Sequence, residues 1–75
     1  MNILVLNGPN LNLLGLREED IYGSESLASI EEKLKNLAHE SNCEIEFFQS
    51  NAEHELINSI QNAYENQVDV IIFNP

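Results

Sequence analysis

Positive charge is scarce in this chain: Arg17, Lys33 and Lys35 stand against thirteen Asp and Glu, for a formal net charge of −10. Such a surface repels phosphate backbones and anionic lipid, which argues against nucleic acid and membrane as partners. An anionic ligand would need a local exception to that field, and Arg17 is the sole arginine. Cysteine is equally sparse. Cys43 has no second cysteine with which to form an internal disulfide or share a metal, so it reads as a structural thiol, packing as a small hydrophobe. The three glycines, Gly8, Gly15 and Gly23, do not make a G-x-G-x-x-G fingerprint, and no P-loop lysine follows them, so no nucleotide cofactor is expected. The opening run from Met1 to Leu6 has no basic segment ahead of it and is far too short for a signal peptide or a membrane span, which leaves a cytoplasmic location as the expectation.

What is present is ordinary for a soluble globular chain, with 43% apolar and 21% charged residues. Seventy-five residues make one small domain at most. A chain of that size buries only roughly 60% of the surface that its unfolded form exposes.

Short apolar runs alternate with segments of helical period. Ile3-Leu4-Val5-Leu6 is continuously apolar and stops at Asn7-Gly8-Pro9-Asn10, which is turn chemistry; it reads as a strand buried on both faces, followed by a long loop to Ser24. From Ser26, a candidate N-cap, Leu27, Ile30, Leu34, Leu37 and Ala38 recur at helical steps, with Glu31 and Lys35 spaced as a favourable pair and the end expected near Ser41-Asn42. Glu44 to Gln49 alternates only partly and suits an edge strand with one wetter face. Ser50-Asn51-Ala52-Glu53 has capping-box spacing and opens a second helix whose buried face is expected to carry Leu56, Ile57, Ile60, Ala63 and Tyr64. Val68 to Phe73 closes the series as a third, mostly apolar strand.

Helices joining strands in this β-α-β-α-β order predict a parallel α/β layered fold with right-handed crossovers. With the wetter strand at the edge and the first strand inside, the expected order is 2-1-3, the start of a flavodoxin-like open sheet. An apolar third strand calls for a neighbour on its far side, and none is encoded before Pro75; the expectation is a sheet truncated before its remaining strands, with residues 1–75 forming part of a single domain.

Ligands of open α/β sheets bind beyond the carboxyl ends of the strands. Those ends carry Asn7-Gly8-Pro9-Asn10, Gln49-Ser50-Asn51 and Asn74-Pro75, three amide-rich clusters on one rim. Amides offer donor and acceptor together and suit a hydroxyl-rich ligand; the same residues are also simply good turn formers. His39 and His54 fall within and at the start of the two helices, without metal-ligand spacing, and read as surface residues, so no metal is expected. Arg17 and Tyr22 lie five apart in the long loop. A cation held against a partly buried tyrosine would lower its pKa and make it a usable base. Spacing alone favours the plainer reading, in which Tyr22 packs under the loop while Arg17 offsets Glu18, Glu19 or Asp20.

Asn7-Gly8-Pro9-Asn10-Leu11-Asn12, Leu14-Gly15-x-Arg17-Glu18, Tyr22-Gly23, Gln49-Ser50-Asn51 and Asn74-Pro75 together resemble the motif series of type II 3-dehydroquinate dehydratases, in order and spacing along all 75 residues. The resemblance implies a cofactor-free, flavodoxin-like enzyme that converts 3-dehydroquinate to 3-dehydroshikimate by anti elimination of water through an enolate, in the shikimate pathway of aromatic amino acid biosynthesis or in quinate breakdown. It implies that Tyr22 is the proton acceptor and that Arg17 keeps it ionised and stabilises the transition state. Asn10 would hold the water that stabilises the enolate, Asn74 would bind substrate hydroxyls, and the loop carrying Arg17 and Tyr22 would serve as a lid. Two departures stand out: Glu19 occupies a position where the family commonly has proline, and Ala52-Glu53-His54 stands where a Glu-Gly pair is usual. Family members are about twice as long and assemble as trimers grouped into dodecamers. Their second half would supply a Thr-His-Thr-Ser segment, the general-acid histidine and an arginine for the substrate carboxylate, so the 75 residues alone are expected to be inactive. The alternative is a non-catalytic flavodoxin-like module that binds a small ligand or pairs through its open edge; a flavin or nucleotide binder is a third and weaker reading.

Overall fold

In a computed structural model of the chain, residues 1–14 and 25–75 are described. Strand β1 (Asn2–Asn7) leads into a 3-10 turn (Leu11–Leu13); helix α1 (Leu27–Glu40), strand β2 (Glu44–Gln49), helix α2 (Glu53–Glu65) and strand β3 (Val70–Asn74) follow. The strands form one sheet in the order β2-β1-β3, with β1 parallel to both neighbours. The α/β class and the 2-1-3 order expected from the sequence are both present.

Composition explains the placement. Leu4, Val5 and Leu6 are buried, as a central strand requires, whereas β2 alternates exposed Glu44 and Glu46 with half-buried Ile45 and Phe47. Along β1 successive side chains point to opposite faces. Register carries each face across the sheet: Leu4 stands beside Glu46 and Ile71, and Leu6 beside Phe48 and Phe73. On that face Ala63 of α2 packs with Leu4 and Leu6, and Phe48 and Val68 close around them. The opposite face belongs to α1, whose Lys35 ammonium lies 5.7 Å from the centroid of Phe47, the neighbour of Val5. Leu6, at 0% exposure, is the centre of the structure.

Helix ends follow local chemistry. Ser26 caps α1 as expected, its hydroxyl accepting from Ser29 N–H at 3.1 Å, and the helix stops at Ser41, with Asn42 in the left-handed region at φ 57°. The capping box expected to open α2 does not form. Ser50 Oγ accepts instead from Ala52 N–H at 3.0 Å, closing a tight turn at the strand end, so that Ala52 occupies the N-cap and Glu53 starts the helix. Lys35 lies over Phe47 rather than pairing with Glu31, and Lys33 pairs with Glu25. His39 and His54 are exposed, and Cys43 is half-buried with its thiol directed at the Ser41 carbonyl. Among the described residues no helix is long and apolar enough to cross a membrane.

The buried faces of both helices are narrower than periodicity suggests. Leu37 is 59% exposed on α1, and on α2 Leu56 and Ala63 are buried while Ile57, Ile60 and Tyr64 are exposed. Geometry gives the reason. At 3.6 residues per turn, Ser59, Asn62 and Asn66 flank one side of the Leu56–Ala63 line and Ile57, Ile60 and Tyr64 flank the other. The first flank lies over β2, so the second faces the β3 side, where Ile71 and Phe73, which share this face of the sheet, are themselves 38% and 48% exposed. Exposed apolar side chains thus stand both on α2 and on the neighbouring face of β3.

Leu6→Ala is expected to lower the unfolding free energy by about 2–5 kcal/mol, the range for emptying a buried leucine site. Tyr64→Ala, at a position 90% exposed, should change it by less than about 0.5 kcal/mol. Equilibrium urea unfolding followed by far-UV circular dichroism measures both, and equal effects would contradict the packing described.

Candidate active site

The three strands end together on the rim where the amide clusters were expected. Asn7 is opposite Gln49 on one side and Asn74 on the other. Beyond it the chain is held by backbone bonds in both directions: Ser50 N–H donates to the Asn7 carbonyl at 3.1 Å, and Gly8 N–H donates to the Asn74 carbonyl at 2.8 Å. Asn7 and Ser50 are both buried.

Gly8 shows why a side chain is excluded here. Its φ is not left-handed, so turn conformation does not demand glycine. The demand comes from close approach, since a Cβ on Gly8 would stand 2.9 Å from the carbonyl carbon of Pro75 and 3.3 Å from the Asn74 carbonyl oxygen. Asn10, in contrast, does adopt a left-handed turn conformation, with φ 70° and ψ −2°, and introduces the 3-10 turn through Leu13 N–H donating to its carbonyl at 3.0 Å.

Side-chain amides complete the rim. Gln49 Nε2 donates to the Gly8 carbonyl at 3.1 Å and to Asn51 Oδ1 at 3.1 Å, with Asn12 Oδ1 at 3.5 Å. Asn51 Oδ1 also accepts from Asn10 N–H at 2.9 Å. The loop after β1 is therefore stitched to the end of β2 by Gln49 and to the loop that follows β2 by Asn51.

Of the residues singled out in the sequence, Asn10 and Asn74 come to one rim: Asn10 follows Gly8 by two residues, and the Asn74 carbonyl accepts from Gly8 N–H. Arg17 and Tyr22 lie outside the described residues. Sequence reasoning gave Gln49 and Asn51 no individual role. Local spacing carries no signal for such a role, because their bonds to the loop after β1 span 41 residues. A separate groove of about 430 Å³ lies between Glu44, Glu46 and Phe48 of β2 and Ser59, Asn62 and Ala63 of α2. It reaches Asn2, at the start of β1, and includes none of the rim amides. Among the described residues no group of three or more His, Cys, Asp and Glu is placed to hold a metal ion.

Gly8→Ala is expected to force the carboxyl ends of β1 and β3 apart, because the obstructing atoms are backbone. Stability should fall by roughly 1–3 kcal/mol, as for other overpacked sites, and the residue 8 amide should lose protection against hydrogen exchange. A fully protected amide in that variant would show that the approach is looser than described.

Comparison with known proteins gives this geometry a family. The chain matches the family model of class II dehydroquinase over residues 1–75. It is 59% identical over 97% of its length to a 3-dehydroquinate dehydratase of Methylococcus capsulatus, and 58% identical over the same share to one of Haemophilus influenzae. It covers 49% and 48% of those two proteins. The crystal structure of the type II dehydroquinase of Butyrivibrio crossotus superimposes with a TM-score of 0.94 at 47% identity, covering 100% of this chain and 52% of that one. The chain thus spans about half the length of the relatives it matches, and with a sequence match and a backbone match that each run its full length, it belongs to the class II dehydroquinase family.

Proposed function

We propose that residues 1–75 are the N-terminal half of a single flavodoxin-like dehydratase domain and contribute the enolate-forming side of a 3-dehydroquinate dehydratase site. The observation that carries this reading is the family match along the whole chain, on a rim that gathers the segments bearing Asn10 and Asn74 around Gly8.

In this reading Tyr22 takes the proton next to the substrate ketone, and Arg17 keeps the tyrosine ionised and stabilises developing negative charge. Asn10 positions the water that hydrogen-bonds to the enolate oxygen, and Asn74 binds substrate hydroxyls. A positioned base combined with preorganised dipoles activates a carbon acid without a cofactor. Loss of water by anti elimination then gives 3-dehydroshikimate, a step in the shikimate pathway. The histidine that protonates the leaving hydroxyl and the arginine that receives the carboxylate belong to the second half of the domain. The complete protein is cytoplasmic and assembles as a homododecamer built from trimers. Without leaving-group protonation the 75 residues are short of a contribution worth about 10²–10⁴-fold.

The exposed apolar surface of α2 and β3 favours a second reading, a non-catalytic module that pairs through that surface. Turnover of 3-dehydroquinate, followed by product enone absorbance, separates the two. The 75-residue chain is compared with the same chain extended by the second half of the Methylococcus capsulatus relative, each with and without Tyr22→Phe. The extended polypeptide should turn over, the short chain should be at least about 10²-fold slower, and Tyr22→Phe should abolish the activity. An inert extended polypeptide would leave the module reading in its place.

A further inference from the structure

We propose that Asn51, oriented by Gln49, is a positioning residue that fixes Asn10 in its working conformation. The inference rests on the dehydratase reading, and it concerns two residues to which that reading gives no part.

The direction of each hydrogen bond is set from its ends. The Gly8 carbonyl can only accept, so Gln49 must present its NH2 group there, at 3.1 Å. The same nitrogen then faces Asn51 at 3.1 Å, which requires the Asn51 oxygen on that side. At the other end, Asn10 N–H can only donate, and it meets the same Asn51 oxygen at 2.9 Å. Backbone groups at both ends thus agree on one orientation for both amides. Gly8 itself is fixed by its bond to the Asn74 carbonyl, so the chain of bonds runs from β3 through Gly8, Gln49 and Asn51 to Asn10.

Asn10 needs such a hold. It sits at φ 70°, where an L-residue other than glycine is uncommon, and it is exposed at the rim. Pinning its N–H sets the plane of the preceding peptide and so restricts the direction of its Cα–Cβ bond. Rotation toward ordinary backbone angles would swing the side chain off the rim, and an error of about 1 Å in a group that orients a reacting water costs on the order of 10²-fold in rate. Asn51 does not itself touch the substrate in this scheme; it acts through Asn10.

The test uses the extended polypeptide of the preceding section. Asn51→Ala removes the acceptor, Asn51→Asp keeps it, and Gln49→Glu turns the Gln49 donor into an acceptor facing the Gly8 carbonyl. Asn51→Ala and Gln49→Glu should lower kcat by about 10–100-fold while changing KM by less than about threefold. Asn51→Asp should retain kcat to within about threefold, with any charge penalty against an anionic substrate confined to KM. Hydrogen exchange at the Asn10 amide should speed up in Asn51→Ala and stay slow in Asn51→Asp, an effect that general loss of stability would not confine to one residue. Unchanged kcat in Asn51→Ala, or an Asn51→Asp variant as slow as Asn51→Ala, would overturn the inference while leaving the dehydratase reading intact. If Asn51→Ala fails to fold, Gln49→Glu and Asn51→Asp decide by the same two readouts. An inactive unsubstituted polypeptide overturns the dehydratase reading and this inference with it.

Discussion

The missing side chain of Gly8 is the constraint on which the rim depends. Its N–H reaches the end of β3 at Asn74, and its carbonyl receives Gln49 from the end of β2 as well as Leu11 N–H from the 3-10 turn. A Cβ at this point would meet the backbone of Pro75 at 2.9 Å, so no other residue allows all of these approaches at once. β1 can serve as such a hub because it is central. It is paired along both edges and buried at Leu4, Val5 and Leu6, leaving its carboxyl end with little freedom relative to its neighbours.

The two ends of the sheet are finished in different ways. At the amino end, Asn2 and Asp69 lock together: Asn2 N–H donates to Asp69 Oδ2 at 2.7 Å, and Asp69 N–H donates to the Asn2 carbonyl at 2.8 Å. Glu44 N–H donates to the Met1 carbonyl at 2.9 Å, so β2 and β3 both start against the first two residues. One of those bonds runs through the Asp69 side chain and the others join backbone groups. At the carboxyl end the backbone bonds from Gly8 and Ser50 are joined by the side-chain amides of Gln49 and Asn51, which tie the loop after β1 to the end of β2. Loops held in part by side chains can present other residues without disturbing the ladder.

The topology was legible because each strand carries a different composition. Continuous apolar Ile3 to Leu6, half-alternating Glu44 to Gln49 and apolar Val70 to Phe73 have few arrangements that satisfy all three, and the order with β1 inside is the one observed. Sequence reading failed where a residue had two local partners to choose from. Ser50 had the spacing of a capping box, but its hydroxyl reaches Ala52 N–H, closer along the chain than the capping-box donor at Glu53. Ile57, Ile60 and Tyr64 were placed in the core because helical period reports how wide an apolar stripe is, not how much of it the chain can cover. Gly8 looked like a turn glycine, and the close backbone approach that requires it involves Pro75, 67 residues on. Asn10 and Asn74 were legible as strand-end residues. The roles of Gln49 and Asn51 were not, because a hydrogen bond spanning 41 residues leaves no trace in local spacing.

Neutral amides at the rim also bear on the charge of the chain. With thirteen acids against three bases, an unpaired carboxylate at the strand ends would add to a field already unfavourable to any anion. Gln49, Asn51, Asn10, Asn12 and Asn74 give the same region dense hydrogen-bonding capacity at no cost in charge. They also differ from carboxylates in having a direction. An amide that donates on one side and accepts on the other transmits orientation from one neighbour to the next, as Gln49 does between the Gly8 carbonyl and Asn51. Two carboxylates in those places would accept on every side and repel each other. The rim's preference for amides thus meets two requirements together: it spares a strongly acidic chain further negative charge, and it lets the fixed backbone of β1 dictate how the loop carrying Asn10 is held.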